Sequence, residues 1–284
     1  MKRTVIIGAG QLGKYLLSFL NCDKYKILAI ADNNPEKFDN HSCPPIVSVE
    51  KALKLNPDVV WIAMKGDERI AQIKEQLEGM QYCGEIEMAA KIEADFDLRS
   101  LVLKRLAMRL KESGISGAMA ELGVYKGDFA KQMQAVLPDR KIYLFDTFEG
   151  FAQTDIDEEK NTSATIARVS DFADTSVAEV LGKMPDKDNV IIRKGVFPKT
   201  TENLQEHYAL VSLDADLYAP TLAGLRYFHA NLVHGGVIII HDYESQQYPG
   251  VKQAVADYEK EAGKLLLIPL GDMHGTVIVV GESS

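Results

Sequence analysis

The sequence predicts an α/β protein built from two parallel-sheet units in tandem. Three observations carry this. Twice an apolar strand runs into a glycine turn and then a helix. Each time a second strand follows and ends in an acid about 20 residues further on. The chain, at 284 residues, exceeds one ordinary domain and accommodates two. Strand–loop–helix repeats of this length imply right-handed crossovers and therefore parallel strands.

In the first unit, "TVIIGAGQLGKYLLSFL" reads as a strand, a turn carrying Gly8, Gly10 and Gly13, and a helix. "YKILAIADNN" is a second strand ending in Asp32, "PDVVWIAMKGDERIAQIKEQL" a strand and helix, and "CGEIEMA" a short last strand. The glycines let backbone amides at a helix N-terminus approach a diphosphate, and Asp32 suits ribose hydroxyls. This unit, residues 1–94, resembles dinucleotide-binding (Rossmann-like) domains and the nucleotide-sugar-binding domain of sugar acyltransferases. Its ligand is left open: NAD(P), a nucleotide sugar, or none, the unit then being a retained scaffold. It lacks a second half for nicotinamide, so a free-standing dehydrogenase is not expected.

Residues 95–114 place Leu98, Leu101, Val102, Leu106 and Leu110 on one stripe, read as a connecting helix closed by Gly114. The second unit, 115–284, opens with "AMAELGVYKGDFAKQMQAVL": a strand ending in Glu121, glycines Gly123 and Gly127, and a helix. "RKIYLFDTFEGF" is the next strand, ending in Asp146. The spacing is not of dinucleotide type; an open turn with an acid after the following strand suits S-adenosylmethionine, whose ribose the acid would hold. "DNVIIRKGVF", "YALVSLDADLY", "GGVIIIHDYES", "KLLLIPLG" and "HGTVIVVG" complete about seven strands, the last antiparallel after a hairpin at "DMH".

"SGAMAELGVYKGDFA", "YLFDTFEGF", "SDFADTSVAEVLGKM", "LVSLDADLYAPTLAGL" and "GGVIIIHDYESQQYPGVKQAVADY" occur in the order found in macrocin-type O-methyltransferases. The resemblance spans roughly residues 100–280. It implies a class I methyltransferase fold and methylation of a sugar or similar polyol hydroxyl by S-adenosylmethionine with a divalent metal, Mg²⁺ foremost, Mn²⁺ as the alternative. It implies donor contacts from Glu121, Gly123, Tyr125, Gly127, Asp146, Thr147, Phe148, Asp171, Phe172 and Gly195, and metal ligation by Asp214, His241 and Asp242, His241 standing where the family has aspartate. For Phe172 plain core packing is an alternative. An imidazole there tilts the site toward Mn²⁺ or a later transition metal. The acids have no lysine or arginine nearby in sequence, which is the physical reason to expect a cation. Asp214 is the first candidate base and His274 the second.

Hydrophobic residues at 46%, charged residues at 26% and a net charge of −9 without a basic block fit a soluble globular chain and argue against nucleic acid or anionic membrane as partners. No run reaches the roughly 18 apolar residues of a membrane span. The opening "MKRTVIIGAG" reads as a first strand rather than a signal peptide. Cys22, Cys43 and Cys83 lack metal-ligand spacing and read as free thiols in a reducing cytoplasm. The expected assembly is a homo-oligomer acting on a small hydroxylated molecule. Competing readings are a nucleotide-sugar-binding protein with an inactive methyltransferase half, and a methyltransferase of small aromatic diols.

Overall fold

The computed structural model describes residues 1–95, 97–162, 166–169, 171–272 and 274–281, with backbone alone at 93–95. Phe96 of the expected connecting helix, Ser170 of "SDFADTS" and Met273 of the "DMH" turn lie outside the described residues. The chain divides into two compact units, Met1–Asp97 and Leu98–Ser284.

The first unit contains β1 (Lys2–Ile7), α1 (Gln11–Phe19), β2 (Tyr25–Ala31), β3 (Ile46–Val47), α2 (Val49–Leu53), β4 (Val59–Ile62), α3 (Asp67–Gly79), β5 (Glu85–Met88) and α4 (Ala89–Asp95). Its sheet runs β3-β2-β1-β4-β5, all parallel. Side-chain alternation sends Val5 and Ile7 to the core under α2 and α3, and Ile6 to the core under α1. A strand buried on both faces must be apolar there, as β4 (VVWI) and the buried Val5–Ile7 end of β1 are. The sequence reading missed β3. It is only two residues long, too short to show a period, and it pairs with β2 at Ile30 and Ala31.

The second unit contains α5 (Leu98–Glu112), β6 (Ala118–Leu122), α6 (Asp128–Val136), β7 (Ile142–Asp146), α7 (Gln153–Thr162), α8 (Val177–Lys183), β8 (Val190–Lys194), β9 (Tyr208–Leu213), α9 (Tyr218–Ala230), β10 (Leu232–Ile240), α10 (Gly250–Ala262), β11 (Leu267–Pro269) and β12 (Val277–Val280). Its seven strands run β11-β12-β10-β9-β6-β7-β8. β12 inserts antiparallel between β10 and β11; the remaining neighbours are parallel. This is the doubly wound sheet with an antiparallel ending that the sequence predicts. Tyr143 and Phe145 fill one face beside Phe228 and Tyr208, while Ile142 and Leu144 fill the other beside Met133 and Leu110.

Helix α5 buries Ser100, Leu103, Ala107 and Leu110; of the expected stripe, Leu110 is buried, Val102 and Leu106 pack partly buried against the same core, and Leu101 is exposed. The buried spacing of three, four and three is equally helical, but Ser100 and Ala107 carry little hydrophobic signal, so the apolar count pointed to a neighbouring face. The helix does close at Gly114, which takes φ +64°, with Ile115 N–H bonded to Leu110 C=O at 3.0 Å. Among the described residues, no helix is long and apolar enough to cross a membrane.

Candidate active site

The chain leaves β6 and β9, neighbours in the second sheet, in opposite directions along the sheet order. The crevice outside their carboxyl ends is where such folds bind ligands. Asp214 N–H donates to Leu122 C=O at 2.9 Å, continuing the ladder past the strand ends. Gly123, at φ +85°, packs its α-carbon on the Asp214 backbone; a Cβ there would overlap the Asp214 carbonyl. The glycine turn and the acid loop are therefore in direct backbone contact.

Asp146, at the end of β7, organises the glycine turn. Its Oδ2 accepts from Val124 N–H at 2.7 Å and Tyr125 N–H at 2.9 Å, and its Oδ1 from Phe148 N–H at 2.6 Å. Gly195 N–H donates to the Asp146 carbonyl at 2.9 Å, and Thr147 Oγ1 to the Gly150 carbonyl at 2.6 Å. Gly127 begins α6 at φ +76°, and a Cβ on it would come 2.9 Å from Val180. Tyr125 meets Phe172 edge-on with ring centres 5.1 Å apart, and Phe151 meets Phe172 at 5.3 Å. Asp171 accepts from Arg168 N–H at 2.9 Å in the turn that presents Phe172. The residues expected to hold a methyl donor thus line one rim, at the ends of β6 and β7 and the segment before α8.

The other rim is acidic. His241 Nδ1 lies 2.9 Å from both Asp214 Oδ1 and Asp242 Oδ2, and His274 Nδ1 lies 3.3 Å from Asp242 Oδ1. The two imidazoles stack with centres 4.6 Å apart. Ligand atoms of Asp214, Asp216 and Asp242 lie within 4.8 Å of one another, as do those of His241, Asp242 and His274. The oxygen set suits Mg²⁺ or Mn²⁺, and the imidazoles add nitrogen donors; this donor chemistry fits a divalent ion.

Sequence reasoning missed the cation already present. Arg99, from the first turn of α5 and 115 residues before Asp214, donates from Nη1 to Asp214 Oδ2 at 2.8 Å. Its Nη2 donates to Ser212 Oγ at 2.9 Å, and its guanidinium carbon lies 3.7 Å from the centre of the Phe129 ring. Ser212 Oγ in turn donates to Glu121 Oε1 at 3.3 Å; Glu121 Oε2 and Arg99 Nε are buried without hydrogen-bond partners among the described residues. No lysine or arginine stands near the acids in sequence; the basic side chain that meets them comes from a distant element.

Burial would raise the Asp214 carboxyl, but His241 and Arg99 outweigh it and hold the group well below the usual carboxylate range. Asp242 is likewise held low against its burial, by His241 and His274. Burial, reinforced by Asp214 and Asp242, pushes Asp216 well up. Burial lowers His241, yet Asp214 more than reverses this and takes it to about 10. Burial pushes Glu121 up to about 8, with Arg99 opposing. Asp214 and Asp242 thus face two positive partners, Arg99 and an imidazole whose charged form they favour.

Glu159 on α7, another residue the sequence reading passed over, is fully buried. It accepts from Tyr218 N–H at 2.5 Å at the start of α9 and lies against Gly250 at the start of α10, where any Cβ would collide with its carboxylate. One carboxylate thus meets the starts of the helices that follow the Asp214–Asp216 and His241–Asp242 loops.

In the first unit, Gly8, Gly10, Gly13 and Asp32 come together at the ends of β1 and β2. Asp32 Oδ2 accepts from Ala9 N–H at 2.8 Å and from Lys37 Nζ at 3.1 Å, and Oδ1 from Asn34 N–H at 2.9 Å. A Cβ on Gly8 would come 2.5 Å from the Ala63 carbonyl oxygen, and one on Gly13 would overlap the Gly8 carbonyl; Gly10 faces open space.

The family model of the macrocin O-methyltransferases (TylF) matches residues 98–277. Among solved structures, the O-methyltransferase NovP is 22% identical with a TM-score of 0.56, covering 65% of this chain and 80% of its own. CalS11, a calicheamicin methyltransferase, is 22% identical with a TM-score of 0.53, covering 64% and 78%. No curated protein sequence matches the chain.

The backbone contact at the crevice yields an expected outcome. Gly123→Ala should destabilise the second unit by about 2–4 kcal/mol, combining backbone strain with overpacking. Denaturant unfolding of the purified variant measures this, and an unchanged midpoint would mean the two loops do not touch.

Proposed function

The chain belongs to the macrocin O-methyltransferase (TylF) family, and from that premise we propose that it moves a methyl group from S-adenosylmethionine to a hydroxyl of a sugar or similar polyol, with a divalent ion at the acid cluster. The observation that carries the reading is the backbone contact between Gly123 and Asp214, which sets the donor rim against the acid rim. A donor methyl at one rim and an acceptor oxygen at the other would be held within one crevice, and such positioning is a large part of catalysis in group transfer.

The glycine turn after β6 would face the methionine portion of the donor, Asp146 would be the ribose partner, and the Tyr125–Phe172–Phe151 ring cluster would offer an apolar wall for adenine. Asp214, Asp242 and His241 would hold the ion, with Asp216 beside them. When bound, it would supply Lewis acidity to the acceptor oxygens. The base roles reverse from the sequence expectation. Both Asp214 oxygens are committed, to Arg99 and His241, and a carboxylate held so low is a poor proton acceptor. We assign proton uptake to His274, which is partly exposed and anchored on Asp242.

The first unit fits a nucleotide-type ligand, the nucleotide part of a sugar nucleotide being the reading that joins it to the same chemistry. Gly8 and Gly13 are needed by the protein's own packing, whereas the missing side chain at Gly10 relieves no contact within the chain. Space kept empty at that turn is what a phosphate requires.

Three outcomes follow. Asp146→Ala should weaken S-adenosylmethionine binding by about 1–3 kcal/mol in calorimetry, through loss of the ribose partner and of the bonds that shape the turn; unchanged affinity in a folded variant removes Asp146 from the donor site. With a nucleotide-sugar acceptor found by screening for methyl release, chelation should abolish transfer and spare donor binding, while His274→Ala lowers turnover more than donor affinity. Full transfer by metal-free protein in excess chelator would rule the ion out. Gly10→Val should melt like the wild type yet lose binding of UDP-sugars or NAD(P)H in calorimetry; equal binding by both would show that the turn holds no phosphate.

A further inference from the structure

We propose that Arg99 is a resident counter-cation that competes with the divalent ion for Asp214, and so sets how weakly the acid cluster holds that ion. This rests on the reading of the cluster as an ion site and adds the residue that tunes it.

The geometry is that of a fixed charge. The guanidinium is anchored at both ends, on Asp214 and on Ser212, and its face lies on the Phe129 ring. Its side chain is only 15% exposed and that of Asp214 only 21%, so solvent screens the pair weakly. Arg99 occupies Asp214 Oδ2, and His241 occupies Oδ1. An ion entering among Asp214, Asp216 and Asp242 must share Asp214 with a cation 2.8 Å from one of its oxygens.

Two effects of Arg99 on ion affinity oppose each other. It orders the Asp214 side chain, which helps binding, but ordering one short side chain is worth less than about tenfold. It also places a unit positive charge within a few ångströms of a divalent ion in a partly buried site. Like-charge repulsion there outweighs the ordering gain. The net sign is that Arg99 weakens the ion. A merely structural role predicts the opposite: damage to the site, and weaker binding on removal.

The test uses the full chain, freed of metal by chelation and dialysis, at one pH for all variants. Mn²⁺ alone is titrated by calorimetry and by loss of the free-ion paramagnetic resonance signal. Arg99→Met should bind Mn²⁺ about tenfold tighter than wild type, or more. Arg99→Lys, which keeps the charge but not the fork, should stay within about threefold of wild type. Arg99→Gln serves in place of the methionine variant if that does not fold, and thermal melts check every variant. Binding by the wild type with equal or weaker binding by folded Arg99→Met and Arg99→Gln would overturn the proposal while leaving the ion reading intact. Binding by the neutral variants alone would support it and defeat the ion reading for the wild type. No binding by any variant would overturn both.

Discussion

Everything at the candidate active site depends on one close approach, the backbone of Gly123 against the backbone of Asp214. β6 and β9 are parallel neighbours, so their following loops emerge side by side. Loops that turn away in opposite directions normally leave a gap between them. Here the gap closes at its base because residue 123 has no side chain and can take φ +85°. The donor turn then inherits its position from the acid loop, and the acid loop from the ladder that ends at Leu122 and Leu213. Asp146 fixes the far side of the turn, and Glu159 ties down the starts of α9 and α10. In each clamp a side-chain carboxyl oxygen accepts from backbone N–H, at Val124 and Tyr125 for Asp146 and at Tyr218 for Glu159.

Such over-determination explains how the site tolerates strain. Tyr125, Phe148, Phe172, Asp216 and Asp242 all carry φ between +48° and +62°, where residues with a side chain are uncommon and bulky ones rare. Each costs on the order of 1–3 kcal/mol unless surrounding contacts enforce it. The five flank the two rims: three on the donor side and two among the acids. Strain concentrated in this way keeps side chains aimed where relaxed backbone would not put them. Asp216 and Asp242 both leave the strand ends in this conformation, and their carboxylate oxygens come within 4.8 Å of each other.

How much of this was legible in the sequence follows from range. The two glycine turns, the acids after the second strands and the acid pairs after β9 and β10 are local patterns, each set by a few adjacent residues, and they read correctly as strand–turn–helix units. Arg99 could not be read this way. It lies 115 residues from its partner, on a helix whose apolar count pointed to packing, and an arginine near a helix start looks like any solvated surface residue. The buried Glu159 sits in "DEEKNT", a run of polar residues with nothing to mark one carboxylate as interior. Charge pairing between distant elements is fixed by topology, and topology is what a sequence window leaves out.

The two glycine turns share a pattern yet suit different ligands, for reasons that lie in the first helical turns. α1 begins with Gln11, Leu12, Gly13 and Lys14: no acid, no side-chain cap at Gly10, and open space there. The positive end of its helix dipole suits a phosphate. α6 begins with Asp128, which already places negative charge in the first turn, and Gly127 is packed against Val180 rather than open. A phosphate there would meet a carboxylate and find no space. A sulfonium-bearing ligand would meet neither obstacle, since it brings positive charge toward the Asp146 carboxylate at the end of β7. On the proposed reading, a phosphate-bearing ligand at the first turn and a cationic donor at the second would each meet a helix start of suitable charge.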